Sequence, residues 1–318
     1  MKRKIAFILI IIVISPLLFA GGNREVGRSP EADLDGKIEV FVSILPQKYF
    51  VEMIAGDRVD VQVMVPPGKS PATYEPSPRQ MLSLGAADIF FTIGVLFEEN
   101  FIPVIKANLP DLSVVDTDRG IEKHSLEAHE HEGDEDEGDE HEGDEHEGDE
   151  HEEPNAGDDP HIWMDPILVI HQAAIIRDGL IEADPDGRDV YLAGFENFKA
   201  ELEELNRELS SILEPVKGSV IFVYHPSFGY FAERYGLEQV AVETGGREPN
   251  PALLEKVVEH AQDEGVKVIF VQPEFPRSSA EAVARAIGGA VIPAAPLRGD
   301  YMNNMKEIAL AVREGLLE

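Results

Sequence analysis

Residues 186–213 read DGRDVYLAGFENFKAELEELNRELSSIL, and this stretch decides how the rest of the chain is divided. Apolar residues recur in it at alternating steps of four and three, with Glu and Lys on the other face: Tyr191, Phe195, Phe198, Leu202, Leu205, Leu209 and Ile212. This spacing predicts one long amphipathic helix with a continuous apolar stripe. Because α/β patterns lie on both sides, we expect a rigid linking helix over 186–214; an ordinary core helix is the alternative.

The part of the chain before this helix, residues 37–185, alternates strand-like and helix-like segments. IEVFVSI at 38–44 predicts a buried strand, and a helix is predicted from Pro46 to Ala55. Further strands are predicted at 59–65, at 89–93 and around Val114, and a short helix within SPRQMLSLGAAD at 77–88. This alternation indicates an N-terminal lobe with a mostly parallel sheet flanked by helices.

The part after the helix, residues 215–318, repeats the same pattern. Strands are predicted at 219–223, 240–242, 266–271 and 291–292, each followed by a helical segment. A length of 318 residues also fits two lobes better than one large core. We therefore expect an α/β protein of two lobes.

The first residues have the features of an export signal. Lys2, Arg3 and Lys4 precede an apolar run from Ile5 to Leu18, and small residues follow it. We expect a signal peptide at 1–20, a flexible segment at 21–36 and a periplasmic or extracytoplasmic protein; an uncleaved anchor is the alternative. The sequence has no Cys, so we expect no lipid-bearing cysteine, and nitrogen and oxygen must hold any metal.

A formal net charge of -34 argues against nucleic acid as a partner and favours cations. Nineteen Asp and Glu lie between His124 and Asp159, where HEGDE pentads repeat, and we expect a disordered loop over 122–159. Six of the ten histidines lie there, which favours weak metal binding over a plain solvated acidic run. The expected auxiliary ligands are His129, His131, His141, His146 and His151.

Two other histidines have the surroundings of a ligand site. His161 lies in GDDPHIWMDP between two Asp-Pro turns, directly after the acidic loop. His225 follows the predicted strand of VIFVYHPSFGYF, and ligands of open α/β sheets bind outside the carboxyl ends of strands. We expect both to bind metal. By contrast, His171 and His260 lie inside helical patterns and are interpreted as surface or packing residues.

Acidic residues near these histidines are the candidate oxygen ligands. Glu274 follows the strand VKVIFVQ and is expected to face the same cleft as His225, with Glu243 as a second candidate. Glu248, before Pro249, has the position of a helix-start residue instead.

Several motifs together resemble the zinc/manganese ABC transporter solute-binding protein family. They are YEPSPRQ at 74–80, the acidic His-rich loop, DPHIWMDP at 159–166, VYHPSFGYFAERYGL at 223–237, REPNP at 247–251 and GDYMNNM at 299–305. The resemblance implies Zn²⁺, with Mn²⁺ less expected, carried between the lobes on imidazoles and carboxylates. It also implies a monomer that delivers metal to an ABC permease and, through it, a cytoplasmic ATPase.

The sequence departs from that family at two expected ligands. Ala72 stands where the family has a His before Tyr-Glu-Pro, and Ala295 stands where it has an Asp. Glu243, Glu274, Glu75, water or loop imidazoles must then complete the site. A receptor for a metal chelate or another small solute is the alternative function. No HExxH pair supports a zinc hydrolase, so we expect no enzyme; a metal buffer or adhesin based on the loop is a further alternative.

Overall fold

The structure, a computed structural model, describes residues 37–125, 157–243, 251–275 and 277–317. The predicted signal peptide and the segment 21–36 lie outside the described residues, and so does most of the acidic loop. Among the helices of the described ranges, none is long and apolar enough to cross a membrane.

The N-terminal lobe is built on one parallel sheet. Its strands, in the spatial order β2-β1-β3-β4, are β1 (Ile38–Val42), β2 (Val59–Val63), β3 (Ile89–Thr92) and β4 (Ser113–Asp116). Its helices are α1 (Leu45–Ala55), α2 (Pro78–Leu84), α3 (Leu96–Asn108) and α4 (Pro166–Ala183). The sequence pattern predicts these elements except α3, which contains Pro103.

Burial explains the order of the strands in this sheet. All four residues of β3 are buried, as expected for a central strand covered by helices on both faces. In the edge strand β2, Val59 and Val61 are buried whereas Asp60 and Gln62 are exposed. This alternation is typical of a strand with one solvent-exposed face.

The linking helix α5 (Arg188–Leu213) has 26 residues and confirms the predicted long helix between the lobes. Its predicted stripe is buried, except that Ile212 is half-buried and Leu213 takes the core position. The helix packs against α1 and α4 of the N-terminal lobe. The apolar stripe is therefore the surface on which the helices of the N-terminal lobe pack.

The C-terminal lobe repeats the architecture. Its parallel sheet has the spatial order β6-β5-β7-β8, with strands β5 (Val220–Val223), β6 (Glu238–Ala241), β7 (Val268–Val271) and β8 (Ala290–Pro293). Its helices are α6 (Gly229–Tyr235), α7 (Pro251–Asp263), α8 (Arg277–Ala286) and α9 (Tyr301–Leu317). The predicted fold class, two α/β lobes joined by a long helix, is confirmed.

One hydrophobic core runs across both lobes. It contains Phe50 of α1, the stripe of α5, and Ile221 and Val223 on one face of the C-terminal sheet. Helix α9 packs on α5, and the Tyr301 ring lies 5.0 Å from that of Phe50. The last helix of the chain therefore touches both lobes, and its burial opposes their separation.

Candidate functional site

The segment DPHIWMDP, at residues 159–166, contacts both lobes and contains His161. Trp163 Nε1 donates a hydrogen bond to Pro296 O at 3.1 Å, and Tyr301 Oη donates one to Trp163 O at 2.8 Å. Asp165 Oδ1 accepts a hydrogen bond from Ile167 N and so caps the start of α4. The same carboxylate forms a salt bridge with Arg234 of α6 at 2.6 Å. The backbone around His161 is thus fixed by contacts from both lobes.

The His161 ring is held in one orientation by Asp159. Asp159 Oδ1 accepts hydrogen bonds from His161 N at 2.9 Å and from His161 Nδ1 at 2.6 Å. Because a carboxylate only accepts, Nδ1 carries the proton and Nε2 has the free lone pair. The Trp163 ring centroid, 5.1 Å away, packs against the imidazole.

His225 lies just beyond the carboxyl end of β5, as the sequence predicts. Gln272, which is buried, accepts a hydrogen bond from His225 N at 3.2 Å and donates one to His225 O at 2.8 Å. The imidazole stacks on the Phe275 ring with centroids 4.7 Å apart. His225 Nδ1 donates to Glu243 Oε1, so its Nε2 is also the free nitrogen.

The two histidines come from opposite lobes and meet edge to face. Their ring centroids are 5.2 Å apart with an interplanar angle of 75°. Their side chains are only 11% and 16% exposed. Burial lowers the pKa of His225 despite the hydrogen bond to Glu243, and the neighbouring His161 acts in the same direction. Neutral imidazole, the form that binds metal, is thereby favoured.

Glu243 contacts the imidazole of His225 rather than an open position. Its side chain is 2% exposed. Its carboxylate accepts a hydrogen bond from His225 Nδ1, just as the carboxylate of Asp159 accepts one from His161 Nδ1. A carboxylate on the second nitrogen of a metal-binding histidine orients the ring and raises its basicity. The structure therefore suits Glu243 to supporting a ligand, whereas the sequence prediction makes it a ligand itself.

Glu274 lies in the wall of a cavity between the lobes. The cavity has a volume of about 350 Å³, and Ala295 and Lys69 also line it. Burial raises the pKa of the Glu274 carboxyl. Within the described part of the chain, no three His, Asp or Glu side chains are grouped closely enough to hold a metal ion. The structure thus brings together the predicted His161 and His225 without Glu274 as an immediate third ligand.

The other residues considered in the sequence have different surroundings. Ala72 lies in the loop before α2, where its N–H donates to Ser70 Oγ, and Glu75 is exposed. His171 Nε2 contacts Arg119 O at 2.8 Å on the surface, and His260 packs against the Phe222 ring at 5.4 Å. The five auxiliary loop histidines and Glu248 lie outside the described residues.

The ends of the acidic loop meet beside the site. Ser125 forms an antiparallel bridge with Asp158, and Asp159 N donates to His124 O at 2.7 Å. Tyr230 of α6 accepts from His124 N at 3.1 Å and donates to Asp159 O at 3.0 Å. Asp159, which the sequence prediction overlooks, therefore links the loop base to His161; the signal for it is the Asp-Pro-His sequence itself.

Comparison with known proteins agrees with this architecture. The family model described as "Zinc-uptake complex component A periplasmic" matches residues 40–315. The manganese-binding lipoprotein MntA of Halalkalibacterium halodurans is 28% identical over 290 residues, which cover 90% of this chain and 87% of MntA. The high-affinity zinc uptake system protein ZnuA of Bacillus subtilis is 26% identical over 329 residues, covering 100% and 99%.

A solved structure described as ZnuA is similar to this chain with a TM-score of 0.77 and 35% identity, covering 88% of this chain and 99% of its own. A ZnuA variant lacking residues 138–173, solved with zinc bound, has a TM-score of 0.76 at 35% identity, covering 88% and 98%. Because the family model extends over most of the sequence, from the first strand to the last helix, this chain belongs to the ZnuA family of periplasmic zinc-uptake components.

Proposed function

We propose that this protein captures a divalent metal ion, zinc in the first place, between its lobes and delivers it to the permease of an ABC importer outside the cytoplasm. The observation that carries the proposal is the pair of buried imidazoles from opposite lobes, with centroids 5.2 Å apart. Each ring has its Nδ1 bound to a buried carboxylate, which leaves Nε2 for the metal. The metal is cargo, so a binding receptor without turnover fits the site.

Zinc is favoured over manganese by the chemistry of the donors. Imidazole nitrogen is a borderline ligand that suits zinc, and a given nitrogen site binds Mn²⁺ more weakly than Zn²⁺. Relatives of both kinds exist, since one is named as manganese-binding and another as a zinc uptake protein. A titration with both metals under identical conditions tests the choice, and tighter binding of Mn²⁺ would reverse it.

The functional test is a zinc titration of a variant that lacks residues 126–156. Because Ser125 pairs with Asp158 at the base of this segment, a short glycine join can replace it. In this background, zinc bound by the acidic loop does not contribute. His161→Ala and His225→Ala should each weaken zinc binding by at least about 100-fold, more than the 10- to 100-fold typical of losing a supporting partner.

The matched control is His171→Ala, which removes an exposed imidazole outside the cleft. It should leave zinc affinity unchanged. Unchanged affinity in both His161→Ala and His225→Ala would assign these residues a structural role and remove the basis for metal capture at this site.

A further inference from the structure

Helix α6 of the C-terminal lobe contacts the chain on both sides of His161. Before this histidine, Tyr230 Oη donates a hydrogen bond to Asp159 O at 3.0 Å. After it, Arg234 donates to the Asp165 carboxylate from Nε at 2.9 Å and from Nη2 at 2.6 Å. Because Tyr230 and Arg234 are four residues apart, they lie on the same face of the helix. One face of α6 therefore holds the chain before and after His161.

The contact on the Asp159 side includes both ends of the acidic loop. Tyr230 Oη also accepts a hydrogen bond from His124 N at 3.1 Å, and His124 O accepts one from Asp159 N at 2.7 Å. The His124 ring stacks on the Tyr230 ring, with centroids 4.2 Å apart. A methyl group on Gly229 would come within 3.0 Å of Asp159 Oδ2, so the start of α6 packs directly against this carboxylate. The Tyr230 hydroxyl thus joins α6 to the main chain of Asp159.

The position of Asp159 decides the state of the His161 ring. Asp159 Oδ1 accepts a hydrogen bond from His161 Nδ1 at 2.6 Å, and this bond keeps the free lone pair on Nε2. Tyr230 and Asp159 are each only 3% exposed, so the hydrogen bond between them is shielded from water. Burial also raises the pKa of Tyr230, so its hydroxyl keeps the proton that it donates to Asp159 O.

The same segment of the chain contains the other histidine of the pair. His225 lies four residues before the start of α6. Between them, Phe228 N donates a hydrogen bond to Gln239 Oε1 of β6 at 2.6 Å, which anchors the start of the helix to the C-terminal sheet. Residues 225–235 therefore contain one histidine of the pair and hold the segment of the other.

We infer that Tyr230 is a positioning residue for His161, and that it acts by holding Asp159. The inference rests on the proposed function, because it treats His161 as a metal ligand. One helix of the C-terminal lobe then orients the proposed ligand of the N-terminal lobe, and the two imidazoles are aligned before a metal ion arrives. Such preorganisation strengthens binding, because the metal does not have to order the ring or move its proton.

Tyr230→Phe tests the inference, because it removes the hydroxyl group and keeps the ring that stacks on His124. Zinc affinity of the full chain should fall about tenfold, as expected when support for a metal ligand is lost. A competing chelator holds free zinc low, so that the titration reports the tightest site. The matched control is Tyr235→Phe on the same helix, whose hydroxyl bonds to Asn206 Oδ1 at 3.2 Å instead. It should leave zinc affinity unchanged.

The state of the His161 ring is measured separately, in the zinc-free protein. The method is ¹⁵N NMR of labelled histidine side chains at about pH 8, where imidazole is neutral. The signals of His161 are assigned by their absence in His161→Ala. The wild type should show the tautomer that is protonated on Nδ1, whereas Tyr230→Phe should show a mixture of both tautomers. His225, which Glu243 holds, should keep its proton on Nδ1 in both proteins.

The outcomes separate the inference from the proposed function. Zinc affinity that falls in His161→Ala but not in Tyr230→Phe would overturn the inference and leave the proposed function intact. An equal loss in Tyr230→Phe and Tyr235→Phe would do the same, because it would reflect α6 in general. A single His161 tautomer in Tyr230→Phe would also overturn the inference, since Asp159 would then hold the ring without Tyr230. Equal affinities of wild type and His161→Ala would remove the proposed function, and the inference with it.

Discussion

The carboxyl edges of the two sheets are built alike but serve different purposes. In the N-terminal lobe, buried Gln47 accepts hydrogen bonds from Ser43 N at 3.0 Å and Ile44 N at 3.3 Å, just beyond β1. Its amide nitrogen donates to Thr92 O at 3.1 Å and Thr117 Oγ1 at 3.2 Å. The ends of three neighbouring strands are thus tied together by a protein side chain.

In the C-terminal lobe, the corresponding glutamine is Gln272, at the end of β7. It holds the backbone of His225 and donates to Ser227 Oγ at 2.8 Å, but the imidazole itself projects beyond the strand ends. The N-terminal edge therefore contributes stability, whereas the C-terminal edge presents His225, which we propose as a metal ligand. His161, the ligand that we propose from the N-terminal lobe, comes from the segment before α4 instead of from a strand end.

Exchanging each glutamine for alanine should separate these two purposes. Gln47→Ala leaves the buried N–H groups of Ser43 and Ile44 without their acceptor, so the free energy of unfolding should fall by about 4 kcal/mol. Zinc affinity of the folded variant should change by less than about twofold, since Gln47 touches neither histidine. Urea unfolding and zinc titration measure the two quantities.

Gln272→Ala is the counterpart, because it releases the His225 loop. Zinc affinity should fall about tenfold, as expected when support for a metal ligand is lost. A loss of zinc affinity in Gln47→Ala equal to that in Gln272→Ala would show that the edges do not divide stability and binding between them.

A second difference between the edges is the buried acid Glu98, which accepts hydrogen bonds from Ile93 N at 3.1 Å and Gly94 N at 2.7 Å. Burial raises its pKa from 4.5 to about 7, against the opposing effect of these bonds and of Ser43; nearby Asp118 raises it further. Because the folded state holds this proton more tightly than the unfolded state, its stabilising contribution is present below pH 4.5 and is lost through about pH 7.

Glu98→Gln removes that titration. Between about pH 4.5 and pH 7 the wild-type protein should lose up to about 3 kcal/mol of stability relative to Glu98→Gln. Chemical unfolding at both ends of this range measures the difference. The matched control is Glu99→Gln, an exposed neighbour that should leave the pH profile unchanged; parallel profiles of wild type and Glu98→Gln would refute the expected role of Glu98.

The sequence predicts those features whose signal is local. The stripe of α5 follows from its helical period, and His225 follows from the strand that immediately precedes it. Asp159 is local too, but two acidic residues precede the Pro-His pair, and only the fold shows which one binds His161.

Contacts between segments that are far apart in the sequence do not follow from local patterns. Glu243 lies 18 residues from His225, and Gln47 lies 70 residues from Thr117, so these pairs depend on the strand order. The cavity likewise needs loops from both sheets. Spacing along the sequence does not show which of these distant residues are neighbours in the folded protein, so it does not predict the contact between Glu243 and His225.

A metal ligand can be added at each edge by a single substitution. Ala295 lines the cavity at the C-terminal edge, so Ala295→Asp brings a carboxylate into the cleft. We expect zinc affinity to rise about tenfold, since a carboxylate oxygen is a zinc ligand. Ala295→Asn is the control of nearly equal size and should give a smaller gain. Equal affinities of both variants would show that the added carboxylate does not reach the metal.

Ala72→His is the corresponding change in the N-terminal lobe. The family resemblance predicts that it returns an imidazole to the mouth of the cleft and tightens zinc binding. We expect a gain of less than about tenfold, because ordering a loop side chain offsets part of the interaction. Zinc titration at constant pH measures the gain, and weaker binding than in the wild type would contradict the prediction.

The smallest effect is expected on the relative position of the lobes. Helix α5 buries one face in the core shared by both lobes, α9 packs on it, and Asp165 pairs with Arg234 across the junction at 2.6 Å. Opening a hinge would expose this apolar surface and separate a carboxylate that is only 5% exposed from its cation.

Zinc binding should therefore leave the radius of gyration unchanged within error, in contrast to the domain closure of hinged binding proteins. Small-angle scattering of the protein lacking residues 126–156, with and without zinc, measures this. Arg234→Ala removes the salt bridge across the junction and should lower the free energy of unfolding by about 2 kcal/mol. Even in this variant, the scattering profiles with and without zinc should coincide. Compaction of the protein lacking residues 126–156, with Arg234 unchanged, on adding zinc would show that the lobes move as separate bodies despite their common core.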